Sequence, residues 1–145
     1  MNNKLKPVQK SLHQLQNGSR METYSLYPGI ELSFMIVKSD EIALRHDALK
    51  QTLEINYCRA GRIGWNMGSG NNVYLGPGDF SINTMEACAN STLTLPNGYY
   101  EGLTLCVDLS ELSSHPPEIL AGMGITGELF VNKFCKDGSI TSLSG

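Results

Sequence analysis

The feature that most constrains this chain is a series of short apolar–polar alternations, cut at close intervals by glycine-rich turns. Ile30, Leu32, Phe34 and Ile36 alternate with Glu31, Ser33, Met35 and Val37, which is the period-two pattern of a β-strand. Over 53–58, Leu53, Ile55 and Tyr57 face one way while Glu54, Asn56 and Cys58 face the other, since strand side chains point to opposite faces in turn. After Ala60-Gly61-Arg62, the residues Ile63, Trp65 and Met67 alternate with Gly64 and Asn66. Further strands are expected over 73–75, 80–83, 92–95 and 103–109. Turns at 68–72, 76–79, 86–90 and 96–98 separate them. Short strands at this spacing point to a sandwich or barrel. Residues 39–49 are charged and less regular, and are expected to be a loop.

The length of 145 residues suits one domain. Charged residues are only 17% and glycines number 15, which excludes a helical bundle or coiled coil. Ordinary hydrophobicity with a net charge of −3 excludes intrinsic disorder. Lys plus Arg total 11 against 14 acidic residues, so no basic surface for nucleic acid is expected. No apolar run is long enough for a membrane span, and the polar, lysine-containing start does not resemble a secretory signal. Cys58, Cys88, Cys106 and Cys135 stand apart, without a CxxC pair. The expectation is a reduced, cytoplasmic protein whose cysteines act as small hydrophobes.

The flanks differ in character. Val8, Leu12 and Leu15 carry a weak helical pattern that Asn17-Gly18-Ser19 stops. Residues 1–27 are therefore expected to be an arm. Pro116-Pro117 ahead of Glu118 to Ala121 reads as the start of a short helix. Leu129, Phe130, Lys133 and Phe134 also fit helical spacing.

Two stretches carry a family resemblance. Glu54-Ile55-Asn56-Tyr57-Cys58-Arg59-Ala60-Gly61 has a glutamate, six residues and a glycine. It resembles the second half of the first cupin motif. Gly70 to Asp79, ending in Gly76-Pro77-Gly78-Asp79, is similar to the second cupin motif, with Gly76 where that motif has proline. Within that family, Leu53 to Arg62, Tyr74 to Asp79 and Leu95 to Thr104 resemble the N-terminal sensory domain of AraC-type transcriptional regulators. The resemblance implies an all-β, cupin-like barrel (a double-stranded β-helix) with short flanking helices. The barrel would span 28–112. Residues 113–145 would be a helical segment and linker leading to a helix-turn-helix part not present in the chain.

The resemblance also raises the question of a metal, because cupin enzymes place His-x-His shortly before the glutamate. Here Asp47, Ala48, Leu49 and Lys50 stand there, and Ser81 stands where the second motif has histidine. Only Glu54 remains of four ligands, so no metal and no other cofactor is expected. No catalytic nucleophile can be assembled either. Asp79 reads as a hydrogen-bond acceptor that fixes its turn.

A binding cavity remains as the functional candidate. If Glu54 faces inward as its cupin counterpart does, Asn56 and Cys58 share that wall. A carboxylate and an amide there would suit a polar ligand such as a sugar, an amine or another small metabolite. The alternative is that Glu54 pairs at the rim with Arg59, Arg62 or Lys50. Trp65, Tyr99 and Tyr100 are candidates to stack on a ligand, with Tyr99 or Tyr100 near the opening; Trp65 could equally be core. The resemblance implies a small-molecule effector, a homodimer, and DNA contact only through the missing part. The competing classes are a small cupin enzyme (an isomerase or dioxygenase) and a ligand-free dimerisation module.

Overall fold

A computed structural model describes residues 9–14, 18–45, 51–67, 72–84, 90–114, 118, 129, 132–133 and 141–143. Among the described residues, eleven strands are formed: β1 (Gln9–Gln14), β2 (Arg20–Tyr27), β3 (Ile30–Val37), β4 (Glu41–Arg45), β5 (Thr52–Gly61), β6 (Ile63–Met67), β7 (Asn72–Leu75), β8 (Phe80–Thr84), β9 (Asn90–Thr94), β10 (Tyr100–Asp108) and β11 (Thr141–Leu143). One helix, α1 (Leu109–Ser114), follows β10. The strands form a seven-stranded sheet in the order β1-β2-β3-β10-β5-β8-β11 and a four-stranded sheet in the order β4-β9-β6-β7. All pairings are antiparallel.

Two apolar clusters hold the fold. The inner one joins Val37, Cys58, Ile63, Trp65, Leu75, Leu93, Leu95 and Tyr100. It draws on both sheets, so they face each other around a common interior. The outer one joins Leu53, Ile82, Val107 and Leu109, with Ile30, Ile55, Leu105 and Leu112 packed against it. It lies on the far face of the seven-stranded sheet, under α1. Each fully buried leucine in these clusters contributes about 2–3 kcal/mol by area. The more apolar set of β3 (Ile30, Leu32, Phe34, Ile36) therefore belongs to the outer face, and Phe34 is exposed there. Its polar-and-apolar partner set faces the interior.

The segment expected as an arm supplies two strands. Gln9–Gln14 pairs with Arg20–Tyr27 over six registered positions, and β2 pairs with β3. Sheet hydrogen bonds override the weak helical spacing around Leu12; Val8 and Leu15 lie outside the described residues. Likewise Glu41–Arg45, expected within a loop, pairs with β9, while 46–49 lie outside the described residues. The turns at 68–71 and 86–89 do too. Glu118, Leu129, Asn132 and Lys133 are helical, and the apolar Ile119, Leu120, Phe130 and Phe134 lie outside the described residues.

Two local devices set the elements that carry the site. Gly76 to Asp79 turns the chain from β7 into β8. The Asp79 carboxylate accepts from the Gly76 amide at 2.9 Å, and the Asp79 amide donates back to the Gly76 carbonyl at 3.0 Å. Gly78 sits at φ 91°, a region that disfavours a Cβ, and its amide donates to the Cys58 carbonyl. At the end of β10, Asp108 caps α1. Its Oδ1 accepts from the Ser110 amide at 3.0 Å, the Ser110 hydroxyl at 2.6 Å and the Glu111 amide at 3.2 Å, as an N-cap residue does.

Candidate functional site

The pairing register builds the site in rows across the inner face of the seven-stranded sheet. Residues directly opposite one another on neighbouring strands point to the same side. Glu31, Cys106, Glu54 and Asn83 form one row across β3, β10, β5 and β8. Ser33, Thr104, Asn56 and Ser81 form the next, with Thr23 of β2 beyond Ser33. Met35, Gly102 and Cys58 form the third, and Val37 and Tyr100 the fourth. Polarity thus falls along the strands, from carboxylates through hydroxyls and amides to apolar groups.

The second row is closed by side-chain hydrogen bonds. Thr104 donates its hydroxyl to Asn56 Oδ1 at 2.7 Å. Asn56 Nδ2 reaches Ser81 Oγ and Asn83 Oδ1, each at 3.4 Å. Asn83 Nδ2 donates to Glu54 Oε2 at 3.2 Å and to the Thr84 carbonyl at 3.0 Å. The hydroxyls of Thr23 and Ser33 lie 2.8 Å apart. Asn56, Ser81, Asn83, Thr104 and Ser33 are all buried. No buried side-chain polar atom among the described residues lacks a partner. Such a network fixes its side chains in place, because breaking any one bond strands a desolvated group.

Against these rows lies a cavity of about 490 Å³, within the roughly 300–1,000 Å³ typical of small-molecule sites. Its polar half is lined by Thr23, Glu31, Ser33, Glu54, Asn56 and Thr104, with Cys106 between the two carboxylates. Its apolar half is lined by Met35, Val37, Ile63, Trp65, Leu93 and Tyr100, with Met21 at the edge. Glu31 is exposed at the rim, whereas Trp65 and Tyr100 are buried.

Of the residues singled out in the sequence, Glu54, Asn56, Trp65 and Tyr100 meet on this cavity. Glu54 accepts from Asn83, while Arg59 pairs with Glu101 at 3.2 Å. Tyr99 stands elsewhere: its hydroxyl donates to Glu101 at 3.0 Å, beside Arg59. Adjacent residues at a strand start point to opposite sides, so only one of the two tyrosines can enter. Nor is Tyr100 at the opening. It is fully buried, with its hydroxyl donating to the Tyr57 carbonyl at 3.3 Å. Ser81, which stands where the second motif has histidine, supports the wall through Asn56, whereas Thr23, Glu31, Ser33, Asn83 and Thr104 are new to the site. The only sequence signal of these five is a polar residue at an alternating position, which takes meaning once the strand order is known.

Burial and charge act on the thiols. Cys106 is pushed up to about 12, first by burial and then by Glu54 and Glu31. Cys58 is also raised, by burial first and then by Asp79. Both are free thiols.

No family model matches this sequence, and no curated protein matches it. Solved structures do. A cupin 2 conserved barrel domain protein from Salinispora arenicola superposes with a TM-score of 0.53, at 15% identity over 72% of this chain and 87% of that one. The chain has the cupin fold. AerE from Microcystis aeruginosa matches with a TM-score of 0.52, at 12% identity over 68% of this chain and 45% of its own. A variant of the Bacillus subtilis oxalate decarboxylase OxdC matches with a TM-score of 0.49, at 17% identity over 92% of this chain and 39% of its own. The chain thus spans less than half the length of AerE and of OxdC. No helix among the described residues is long and apolar enough to cross a membrane.

A cupin metal would need several nitrogen, oxygen or sulfur donors converging on one point. Among the described residues, no group of three or more His, Cys, Asp and Glu is so placed. The row of Thr104, Asn56 and Ser81 instead carries an amide and hydroxyls already bonded to one another and to Asn83. This wall does not fit a metal.

Proposed function

We propose that this chain is the effector-sensing domain of an AraC-type transcriptional regulator, with DNA read by a helix-turn-helix part beyond these residues. The observation that carries the reading is the two-ended cavity, whose polar wall is a closed hydrogen-bond network rather than a metal cage. The Leu53 to Arg62, Tyr74 to Asp79 and Leu95 to Thr104 phrases add the resemblance to the regulators. Such a wall offers oriented acceptors and donors to a ligand. The mechanism is linkage. A ligand that binds one conformation better shifts the population toward it. Coupling of about 1–3 kcal/mol between sites is enough for a switch. The same reading makes the regulator a homodimer.

The test is a metabolite panel screened against the chain by calorimetry. One saturable site per chain, lost on filling the cavity with Ser33→Phe, supports sensing, and in the full-length regulator the same ligand should change operator affinity in a gel shift. Chemical turnover of the bound compound would replace sensing by catalysis. Binding that Ser33→Phe leaves untouched would move the site elsewhere.

A further inference from the structure

The chemistry of the cavity narrows what it can hold. Fourteen described residues line it. Two bear carboxyl groups, and none is Lys, Arg or His. Glu31 and Glu54 are both direct cross-strand neighbours of Cys106. Their Cα atoms therefore stand two strand spacings apart, roughly 9–10 Å, and both side chains line the same end of the cavity. The fields of both carboxylates reach the Cys106 thiol between them and oppose its ionisation, adding to the effect of burial. In the adjacent row Thr104, Ser33 and Asn56 offer oxygen acceptors. The opposite end, lined by Trp65, Ile63, Leu93 and Val37, is apolar, and the Tyr100 hydroxyl is held by the Tyr57 carbonyl.

We propose that this cavity takes an organic ammonium ion, its charged head between Glu31 and Glu54 and its apolar or aromatic body against Trp65 and Tyr100. The inference rests on the reading of the cavity as a ligand site. An ammonium group brings three donors and no acceptor. It meets two carboxylates and a row of oxygens, where each contact is charge-assisted. A carboxylate or phosphate ligand would bring like charge to Glu31 and Glu54. A polyol would lose water from hydroxyls that find no partner at the apolar end.

Three matched probes test this on the 145-residue chain: phenethylamine, phenethyl alcohol and phenylacetate, titrated by calorimetry at low and high salt. The amine should bind once per chain, at least about tenfold tighter than the alcohol. Phenylacetate should not bind, and added salt should weaken the amine alone. Glu31→Gln and Glu54→Gln should each weaken the amine about tenfold and leave the alcohol unchanged. Because Glu31 is exposed, its variant keeps the test valid should Glu54→Gln disturb folding. Equal binding of amine and alcohol, or amine affinity indifferent to Glu31→Gln, overturns the ammonium assignment and leaves the cavity reading standing. So does failure of the amine when a neutral or anionic compound from the metabolite panel binds in a manner that Ser33→Phe abolishes. Failure of every compound, panel included, overturns both.

Discussion

Thr104 and Asn56 are joined by a 2.7 Å hydrogen bond across 48 residues of sequence, and this bond ties β10 to β5 in the middle of the cavity wall. Asn56 relays the contact to Ser81 and Asn83 on β8. Asn83 in turn holds Glu54. One hydroxyl therefore stands at the head of a chain of contacts that ends on a carboxylate facing the cavity. Stability and the proposed ligand recognition would share this wall, and the first can be tested without a ligand.

Thr104→Val keeps the shape of the side chain and removes the donor. Asn56 Oδ1 is then short of a partner in a buried position, and the expected cost is about 1–2 kcal/mol. Thr104→Ser, which keeps the hydroxyl, should cost less. Urea denaturation of the two variants checks the order; equal midpoints would show that the bond carries no net weight.

Gly102 tests the packing of the neighbouring row. A Cβ there would run into the Tyr100 hydroxyl and the Tyr57 carbonyl, because the Tyr100 side chain lies over Gly102 to reach that carbonyl. Gly102→Ala should therefore destabilise by about 1–3 kcal/mol, the usual range for overpacking. Tyr100→Phe loses only one 3.3 Å bond and should cost less. Thermal unfolding of both variants decides it, and a Gly102→Ala protein as stable as the parent would refute the close fit.

These two positions show what the sequence could and could not disclose. Parity within one strand was legible: Glu54 and Asn56 stand two apart, and the motif around Gly61 gave their direction. Thr104 and Ser33 become part of the same wall only through the order β3-β10-β5-β8, which no local pattern contains. A one-residue slip in that register would turn every side chain to the other face. The two adjacent tyrosines show the same limit, since period two guarantees that Tyr99 and Tyr100 part company without saying which goes inside. The alternation of β3 misleads in a further way. Its more apolar set faces outward, where Ile30 packs against the cluster under α1 and Phe34 is exposed, because a sheet covered on one face and hollow on the other needs its hydrophobes on both.

Asp108 gives the expected acid dependence. Its carboxyl is held below the ordinary range, chiefly by the Ser110 hydroxyl and then by the Glu111 amide. A lowered native pKa means that the stabilising contribution is present above the unfolded carboxyl's pKa, about 3.9. It is lost as pH falls through the lower native value. Asp108→Ala should cost about 1 kcal/mol at neutral pH. Asp108→Asn should keep part of the cap and flatten the acid limb of stability between about pH 5 and pH 2. Chemical denaturation across that window measures both.

The two described thiols should be poor nucleophiles in the native state. The thiolate is the reactive form, and both Cys58 and Cys106 are shifted toward the thiol, Cys106 to about 12. At pH 8, iodoacetamide followed by peptide mapping should leave these two positions unmodified in native protein and modify them in urea. Glu54→Gln removes one of the charges that raise Cys106, so its labelling should quicken while that of Cys58 stays slow. Rapid native labelling of Cys106 in the parent protein would contradict the buried, negatively flanked placement.

Trp65 supplies a direct optical test, because it is the single tryptophan of the chain and lines the apolar half of the cavity. Buried among Ile63, Leu93 and Tyr100, it should emit at short wavelength in the native protein and shift to the red on unfolding. A ligand entering the cavity displaces water near the ring and brings new atoms against it. Emission should therefore change saturably, with the same midpoint that calorimetry gives. Tyr99→Phe, on the Arg59–Glu101 side of the sheet, should leave that titration unchanged. Trp65→Phe should abolish the optical signal and weaken binding measured by calorimetry. A compound that binds by calorimetry yet leaves Trp65 emission flat, with affinity untouched by Trp65→Phe, would occupy some other part of the molecule.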